Sequence, residues 1–251
     1  MTWPDGARWV YSITYDEGCA ALLEHALPIH RRHGVPGHVA LVASQVGVPR
    51  NVPGSSYDGM MILSRDEIAM LGRERWGVSC HSMTHVAITP ETARREVVEA
   101  RRVLEDAIGV PVTIFCVPGD NTSYPASLAV AQEAGYVAIM TIYDRVNLPR
   151  AESLRADLLA LGRVPIHTEY PPPFNSVFDP YKRLHQAADL GGWVIDYCHC
   201  PMPGRPIHPA KDCTTEELDA RFETVRRVGG ADVWIAEPNE VVAHLLRTAS
   251  R

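Results

Sequence analysis

Short runs rich in β-branched and aromatic residues alternate with helical stretches along the chain. This alternation predicts βα repeats around a mostly parallel sheet. About seven strands fit a complete or distorted (β/α) barrel. A doubly wound open sheet is the main alternative, although the sequence contains neither a G-x-G-x-x-G nor a Walker A motif. The candidate strands are residues 8–15, 37–43, 76–81, 110–118, 136–143, 192–200 and 231–238.

Signals for helix ends and loops divide the rest of the chain. Thr89 as N-cap and Gly109 as stop delimit a helix predicted over 90–108. A terminal helix is predicted at the C-terminus, with Asn239 as its cap. The proline-rich stretch 170–175 is predicted to form a stiff loop at the lip of a pocket.

Composition favours one globular unit and excludes several classes of partner. With 251 residues, 46% of them hydrophobic, we expect a single domain over 1–251. The apolar runs are shorter than the roughly 20 residues of a membrane span, and no signal peptide is evident, which predicts a cytoplasmic protein. A net charge of -6 with scattered basic residues argues against nucleic-acid or anionic membrane partners. The six cysteines include no CxxC pair, which predicts reduced thiols.

Acidic residues and histidines follow several candidate strands at the carboxyl edge, where functional side chains of barrels and open sheets collect. Asp16 and Glu17 follow the first strand, His81 and His85 the third, and His199 lies near the end of the sixth. Two histidines and one carboxylate are a common zinc-binding set that leaves a position open for water. Either acid could complete that set, with the other as general base and His199 protonating a leaving group.

Other catalytic motifs are excluded or left open by neighbouring residues. Ser82 occupies the position where a zincin protease needs glutamate, and neither G-x-S-x-G nor S-x-x-K fits a nucleophile here. Cys116, Cys198 and Cys200 lie close to the same strand ends, so a cysteine nucleophile or cysteine-ligated zinc stays open. Strand alternation turns Cys198 and Cys200 away from the histidine between them, which favours core packing for both. His167 is a candidate second histidine of the pocket.

Four motifs, ITYDEG, HSMTH, FCVPGDN and IDYCHC, occur in this order along the chain. Together with the C-terminal DVWIAEPNEVVAHL they resemble the polysaccharide deacetylase family, also called the NodB homology or carbohydrate esterase 4 family. The resemblance covers nearly the whole chain, and the acidic pair combined with His-Ser-x-x-His is its most specific part. It implies a distorted (β/α)7 barrel that hydrolyses N-acetyl or related amide groups. The implied cofactor is a divalent metal, zinc or alternatively cobalt, nickel or manganese.

The resemblance implies a role for each matching residue. Asp16 would be the general base, and His199 would be the general acid. Glu17, His81 and His85 would hold the metal, with Glu17 standing where the family usually has aspartate. The longer arm of glutamate can still ligate zinc but would shift the ion.

The later motifs match less closely. Pro118, Gly119 and Asp120 fall in the third motif, where the resemblance implies substrate binding and a backbone N–H for the oxyanion. Asp144 is assigned to the acidic fourth motif. Cys116 stands in place of the family's third-motif arginine, which leaves the base without its usual orienting partner.

These observations lead to one main functional hypothesis and two alternatives. The main hypothesis is a metal-dependent hydrolase that deacetylates an N-acylated sugar or small metabolite. The alternatives are a metal-independent cyclic-amide hydrolase on the same fold and a non-catalytic protein that binds a carbohydrate or metabolite. The expected partner is a small-molecule or oligosaccharide substrate, and the chain is expected to be a monomer or homodimer.

Overall fold

The longest strand, β1 (Trp9–Glu17), is buried along its whole length and lies at the centre of a parallel sheet. The computed structural model describes residues 2–170, 179 and 181–249. Within them the sheet has the order β5-β4-β3-β2-β1-β7-β6, and β8 pairs with β1. The other strands are β2 (His38–Leu41), β3 (Gly77–Cys80), β4 (Ile114–Cys116), β5 (Ala138–Met140), β6 (Val164–Pro165), β7 (Trp193–Cys198) and β8 (Val233–Ile235).

The sheet curls towards a barrel because the segment before β6 reaches back to β5. Leu161 forms an isolated parallel bridge with Met140, and its carbonyl accepts the Thr141 N–H at 2.8 Å. On one side of β1, β8 pairs with its first three residues and β2 with its last three. The seven strands from β5 to β6 form a distorted half-barrel, with β8 added beside β1, and this confirms the predicted (β/α)7 fold. Each predicted strand overlaps an observed one, whereas the two-residue β6 was not predicted.

Helices connect the strands, and capping boxes define the starts of two of them. Ser64 and Glu67 cap α3, and Thr214 and Glu217 cap α8, each pair satisfying backbone N–H groups of the first turn. The α-helices of the described residues are α1 (Leu22–His25), α2 (Leu27–His33), α3 (Arg65–Arg73), α4 (Ala100–Ile108), α5 (Tyr124–Ala131), α6 (Leu154–Leu158), α7 (Lys182–Leu190), α8 (Thr215–Gly229) and α9 (Pro238–Ala249).

Two predicted helix starts are wrong in detail. The helix predicted from residue 90 begins with a π-helical segment, Arg94–Glu99, that runs into α4, and residues 90–92 form a turn. Gly109 ends it in a left-handed conformation, as predicted. At the C-terminus the Glu237 carboxylate accepts the first N–H groups of α9, so Glu237 and not Asn239 caps that helix.

Buried side chains pack on both faces of the sheet. The face that carries Tyr11, Ile13 and Tyr15 of β1 packs on helices such as α1, α2 and α8. The opposite face carries Val10 and packs against α6 and α9. Because strand side chains alternate with a period of two, Asp16 shares the face of Val10 and lies at its carboxyl end. β1 therefore delivers the predicted base to the mouth of the curled sheet.

All six cysteines are buried free thiols, and Cys198 and Cys200 belong to the helix-facing core as predicted. The described residues include no helix that is long and apolar enough to cross a membrane. Apart from Tyr170, the predicted loop at 170–175 lies outside the described residues.

Candidate active site

The carboxyl ends of the strands surround a cavity of about 220 Å³. Carboxylates, cations, histidines and tyrosines all contribute to its wall, as expected at this edge of a parallel sheet. The lining residues are Asp16, Glu17, Arg50, Ser55, Tyr57, His81, His85, Gly119, Ile142, His167, Tyr197, His199, Ala210 and Lys211.

The Asp16 carboxylate forms a bidentate ion pair with the guanidinium of Arg163. Arg163 Nη1 and Nη2 donate to Asp16 Oδ1 and Oδ2 at 2.6 Å and 3.0 Å, and Nη1 also donates to the Thr14 hydroxyl. Both partners are buried, Asp16 to 4% exposure and Arg163 to 0%. Burial by itself would raise the pKa of Asp16, but the Arg163 and His81 side chains hold it well below its ordinary value. Asp16 is therefore ionised and fixed in orientation, as a general base requires.

The sequence did not predict Arg163 as the partner of Asp16, the candidate base. Arg163 lies two residues after Leu161, which closes the sheet, and enters the barrel beside Cys116. Cys116, at the position of the expected arginine, donates its thiol to Asp16 Oδ1 at 3.6 Å. Arg163 therefore reaches Asp16 from the β6 end of the sheet, whereas Cys116 lies on β4. A charged residue inside the apolar run LGRVPI was the only signal for it.

Burial also decides the role of Cys116. Burial raises the pKa of its thiol, and Cys116 is not among the residues that line the cavity. A protonated thiol that already donates to a carboxylate is a poor nucleophile. The cysteine nucleophile is therefore not supported, and cysteine-ligated zinc is disfavoured because Cys116 does not line the cavity.

A second cluster joins Glu17, His81 and His85, with one ligand atom from each within 4.8 Å of the others. The His81 Nδ1–H donates to the carbonyl of Cys116 at 3.0 Å, which leaves its Nε2 lone pair for the site. Burial lowers the pKa of His81, and burial lowers that of His85 to about 4, so both rings are neutral at pH 7. Neutral imidazoles and an ionised carboxylate are the forms that ligate divalent metals.

Left-handed backbone brings these ligands together. Glu17, Ser82 and His85 are three of the five non-glycine residues with left-handed φ in the described chain, at 72°, 71° and 64°. The Ser82 hydroxyl accepts the His85 N–H at 2.9 Å and stabilises that turn. Gly18, also left-handed, has no room for a side chain, since a Cβ would lie 2.5 Å from Leu41. Such conformations concentrate at functional sites because the surrounding structure must enforce them.

Arg50 neutralises the charge of Glu17. Its Nε donates to Glu17 Oε2 at 2.6 Å and its Nη2 to Oε1, while its Nη1 donates to Ser55. Burial by itself would raise the pKa of Glu17, but the His85 and Arg50 side chains keep it below its ordinary value. A carboxylate offers about four lone-pair positions, so this arginine leaves room for a metal on the same group. Arg50 lies in an irregular loop and carries no sequence signal that would have found it.

Hydrogen bonds and one ring contact fix the position of His199. The buried Asp212 accepts the N–H groups of His199 and Cys200 at 2.6 Å and 2.7 Å, and the Tyr57 hydroxyl at 2.6 Å. The His199 Nδ1–H donates to the carbonyl of Lys211 at 3.0 Å, and its ring stacks on Tyr57 with centroids 5.0 Å apart. These contacts leave Nε2 for the substrate. Asp212 and Tyr57 were not predicted.

Of the four residues predicted to bind the substrate or the oxyanion, only Gly119 is among those that line the cavity. Gly119 lines the cavity, whereas Pro118 is buried outside its lining. Asp120 is exposed and caps the turn Asn121–Ser123 through the Thr122 N–H. Asp144 forms an ion pair with Arg183 of α7 at 2.8 Å, away from the cavity. These partners argue against the substrate-binding roles predicted for Asp120 and Asp144.

The cavity at the carboxyl edge of the sheet brings together Asp16, the group formed by Glu17, His81 and His85, and His199. The sequence profile described as polysaccharide deacetylase matches residues 5–139, more than half of the chain. The chain therefore belongs to the polysaccharide deacetylase family and is a hydrolase of carbon–nitrogen bonds in amides. No curated protein matches it significantly.

Solved structures support the fold. A candidate polysaccharide deacetylase from Mycobacterium smegmatis is 17% identical and superposes with a TM-score of 0.60, with 99% of this chain and 93% of that chain covered. The Xyl-CE4 domain of a multidomain xylanase, from the hindgut metagenome of Trinervitermes trinervoides, is also 17% identical, with a TM-score of 0.51 and coverages of 96% and 91%. At these identities the similarity shows the shared fold alone.

Proposed function

We propose that this protein is a metal-dependent N-deacetylase that acts on an N-acylated sugar or small metabolite. One observation carries the proposal: the paired base Asp16, the ligand set around Glu17, and His199 all line one cavity. The cyclic-amide and non-catalytic alternatives receive no support from the comparisons.

The residues fit a divalent metal. Glu17, His81 and His85 supply one carboxylate and two neutral imidazoles, which is a common set for catalytic zinc. Asp16, His81 and Cys116 form a second group at the same spacing. That group is less suitable because it supplies a single histidine, and because Cys116 does not line the cavity whereas Glu17, His81 and His85 all do. When bound, the metal would polarise the amide carbonyl and lower the pKa of the attacking water.

The protein's own groups then perform the proton transfers. Asp16 accepts the proton of the water that attacks the acyl carbon, and Arg163 holds it ionised for that step. The Gly119 backbone is our candidate for an N–H donor to the oxyanion, since it lies in the cavity wall. His199 donates a proton from Nε2 to the leaving amine, because an amine leaves poorly as an anion.

The experiment is a deacetylation assay on zinc- or cobalt-loaded protein. N-acetylglucosamine and its β-1,4-linked oligomers are the first substrates, and free amine and acetate are measured together. We expect both products in equal amounts, with rates reduced about 10²- to 10⁴-fold by Asp16→Asn or His199→Ala. An enzyme that stays equally active after chelation, or in which Asp16→Asn has no effect, would contradict the proposal.

A further inference from the structure

His167 lies in the cavity wall but has no part in the proton transfers. It follows β6 and lines the cavity together with Tyr197 and His199. Both of its ring nitrogens are buried, and neither has a hydrogen-bond partner among the described residues. Its ring stacks on Tyr170, with centroids 5.6 Å apart, and meets the edge of Tyr197 at 5.8 Å.

An unpartnered buried imidazole is costly for the fold. Leaving a buried polar group without a hydrogen bond costs about 1–3 kcal/mol, so such groups generally have a partner. The two tyrosine rings provide contact area and orient the imidazole, but the ring contacts satisfy neither nitrogen. A ligand group that enters the cavity would recover this cost.

The protonation state of His167 determines which kind of ligand group could hydrogen-bond to its ring. Burial, together with the neighbouring His199, His208 and Lys211, lowers the pKa of His167 to about 3. At pH 7 the ring is therefore neutral, with one nitrogen donating and the other accepting a hydrogen bond. A neutral ring is a poor acid and a poor partner for an anion. It matches a group that both donates and accepts, which is the chemistry of a hydroxyl.

We propose that His167 is a specificity-determining residue that hydrogen-bonds a hydroxyl group of the substrate. This inference rests on the proposed deacetylase function and narrows it to acylated amines that carry hydroxyl groups near the amide. His167 selects such substrates because an analogue without the hydroxyl leaves the buried imidazole unpaired. The metal-ligand set and the base act on the amide, whereas His167 contacts the ring that bears it.

Two amides of similar shape test the proposal. N-acetylglucosamine and N-cyclohexylacetamide both carry an acetamide on a six-membered ring, and only the first has ring hydroxyls. We expect His167→Phe to lower kcat/KM for N-acetylglucosamine about 10- to 100-fold, mainly by raising KM. The same substitution should change kcat/KM for N-cyclohexylacetamide by less than about threefold. His167→Gln, which keeps one donor and one acceptor, should recover part of the loss.

The control is His208→Phe. His208 is a partly buried histidine whose Nδ1 has no hydrogen-bond partner in the described part of the chain, and it does not line the cavity. It should retain the wild-type preference for the sugar. Equal losses on both amides, or an unchanged preference in His167→Phe, would overturn the proposal.

Ligand binding separates this inference from the proposed function. If the wild-type protein hydrolyses neither amide, the deacetylase proposal fails, and NMR titration with N-acetylglucosamine still tests His167. Binding that weakens about 10- to 100-fold in His167→Phe supports the hydroxyl contact. Binding that is equal in both proteins, or undetectable in the wild type, overturns it.

Discussion

Replacing Arg163 with methionine should be one of the most damaging single substitutions in the site. The guanidinium donates to both oxygens of Asp16, to Thr14 Oγ1 at 3.1 Å and to the Thr141 carbonyl at 3.2 Å. It also lies 4.6 Å from the centre of the Tyr197 ring. Methionine fills part of the space but leaves Asp16 buried without a cation. Breaking a buried pair in this way costs about 3–5 kcal/mol.

Equilibrium unfolding in urea measures this loss, and a double-mutant cycle assigns it to the pair. Asp16→Asn combined with Arg163→Met should be less destabilising than the sum of the two single changes, because no unpaired carboxylate remains. Arg163→Met should also lose less stability at pH 4 than at pH 7, since an isolated buried Asp16 can take up a proton. A loss below about 1 kcal/mol, as for an exposed pair, together with no coupling in the cycle, would refute the reasoning.

Activity distinguishes an oriented base from a structural ion pair. We expect Arg163→Met to lower the kcat of the folded fraction about 10²-fold or more. Arg221→Met is the matched control, since Arg221 is equally buried and binds both oxygens of Asp196 at 2.7 Å outside the cavity. It should lose similar stability and keep its kcat. Adding Cys116→Arg to Arg163→Met should restore part of the activity, because residue 116 already contacts Asp16.

Three further predictions concern the metal ligands and a buried histidine. His81→Ala should abolish the binding of about one zinc per chain, and elemental analysis that finds full occupancy would contradict the assigned ligands. Arg50→Met leaves the buried Glu17 without its cation, so the metal-free variant should lose about 3–5 kcal/mol and gain more stability from added zinc than the wild type. If zinc raises the melting temperatures of Arg50→Met and of the wild type by the same amount, the prediction is wrong. Burial lowers the pKa of His30 to about 3. The neutral ring therefore contributes fully to stability above about pH 6.5, and this contribution falls by about 1.4 kcal/mol per pH unit as the pH drops from about 6.5 towards about 3. His30→Gln should therefore show a shallower acid limb in urea unfolding between about pH 6 and pH 4, and parallel limbs would exclude His30 as the cause.

Local sequence signals predict the repeat architecture and most residues of the candidate site. Alternating apolar runs and helix signals are local, and they mark where strands and helices form whatever the tertiary arrangement. Because parallel strands end at one edge, Asp16, the histidine pair and His199 could be expected to meet. The two-residue β6 was missed because a segment so short has no periodicity to detect.

The way in which the charges of the site are balanced follows from the tertiary structure. Arg163 and Asp16 are 147 positions apart, and they meet because Leu161 pairs with β5 and brings the segment before β6 into the barrel. Arg50 reaches Glu17 from an irregular loop 33 positions further along the chain. A buried carboxylate needs a cation, but any chain segment that reaches the cavity can supply it. The position of that cation therefore depends on the tertiary arrangement of the chain and not on any local pattern.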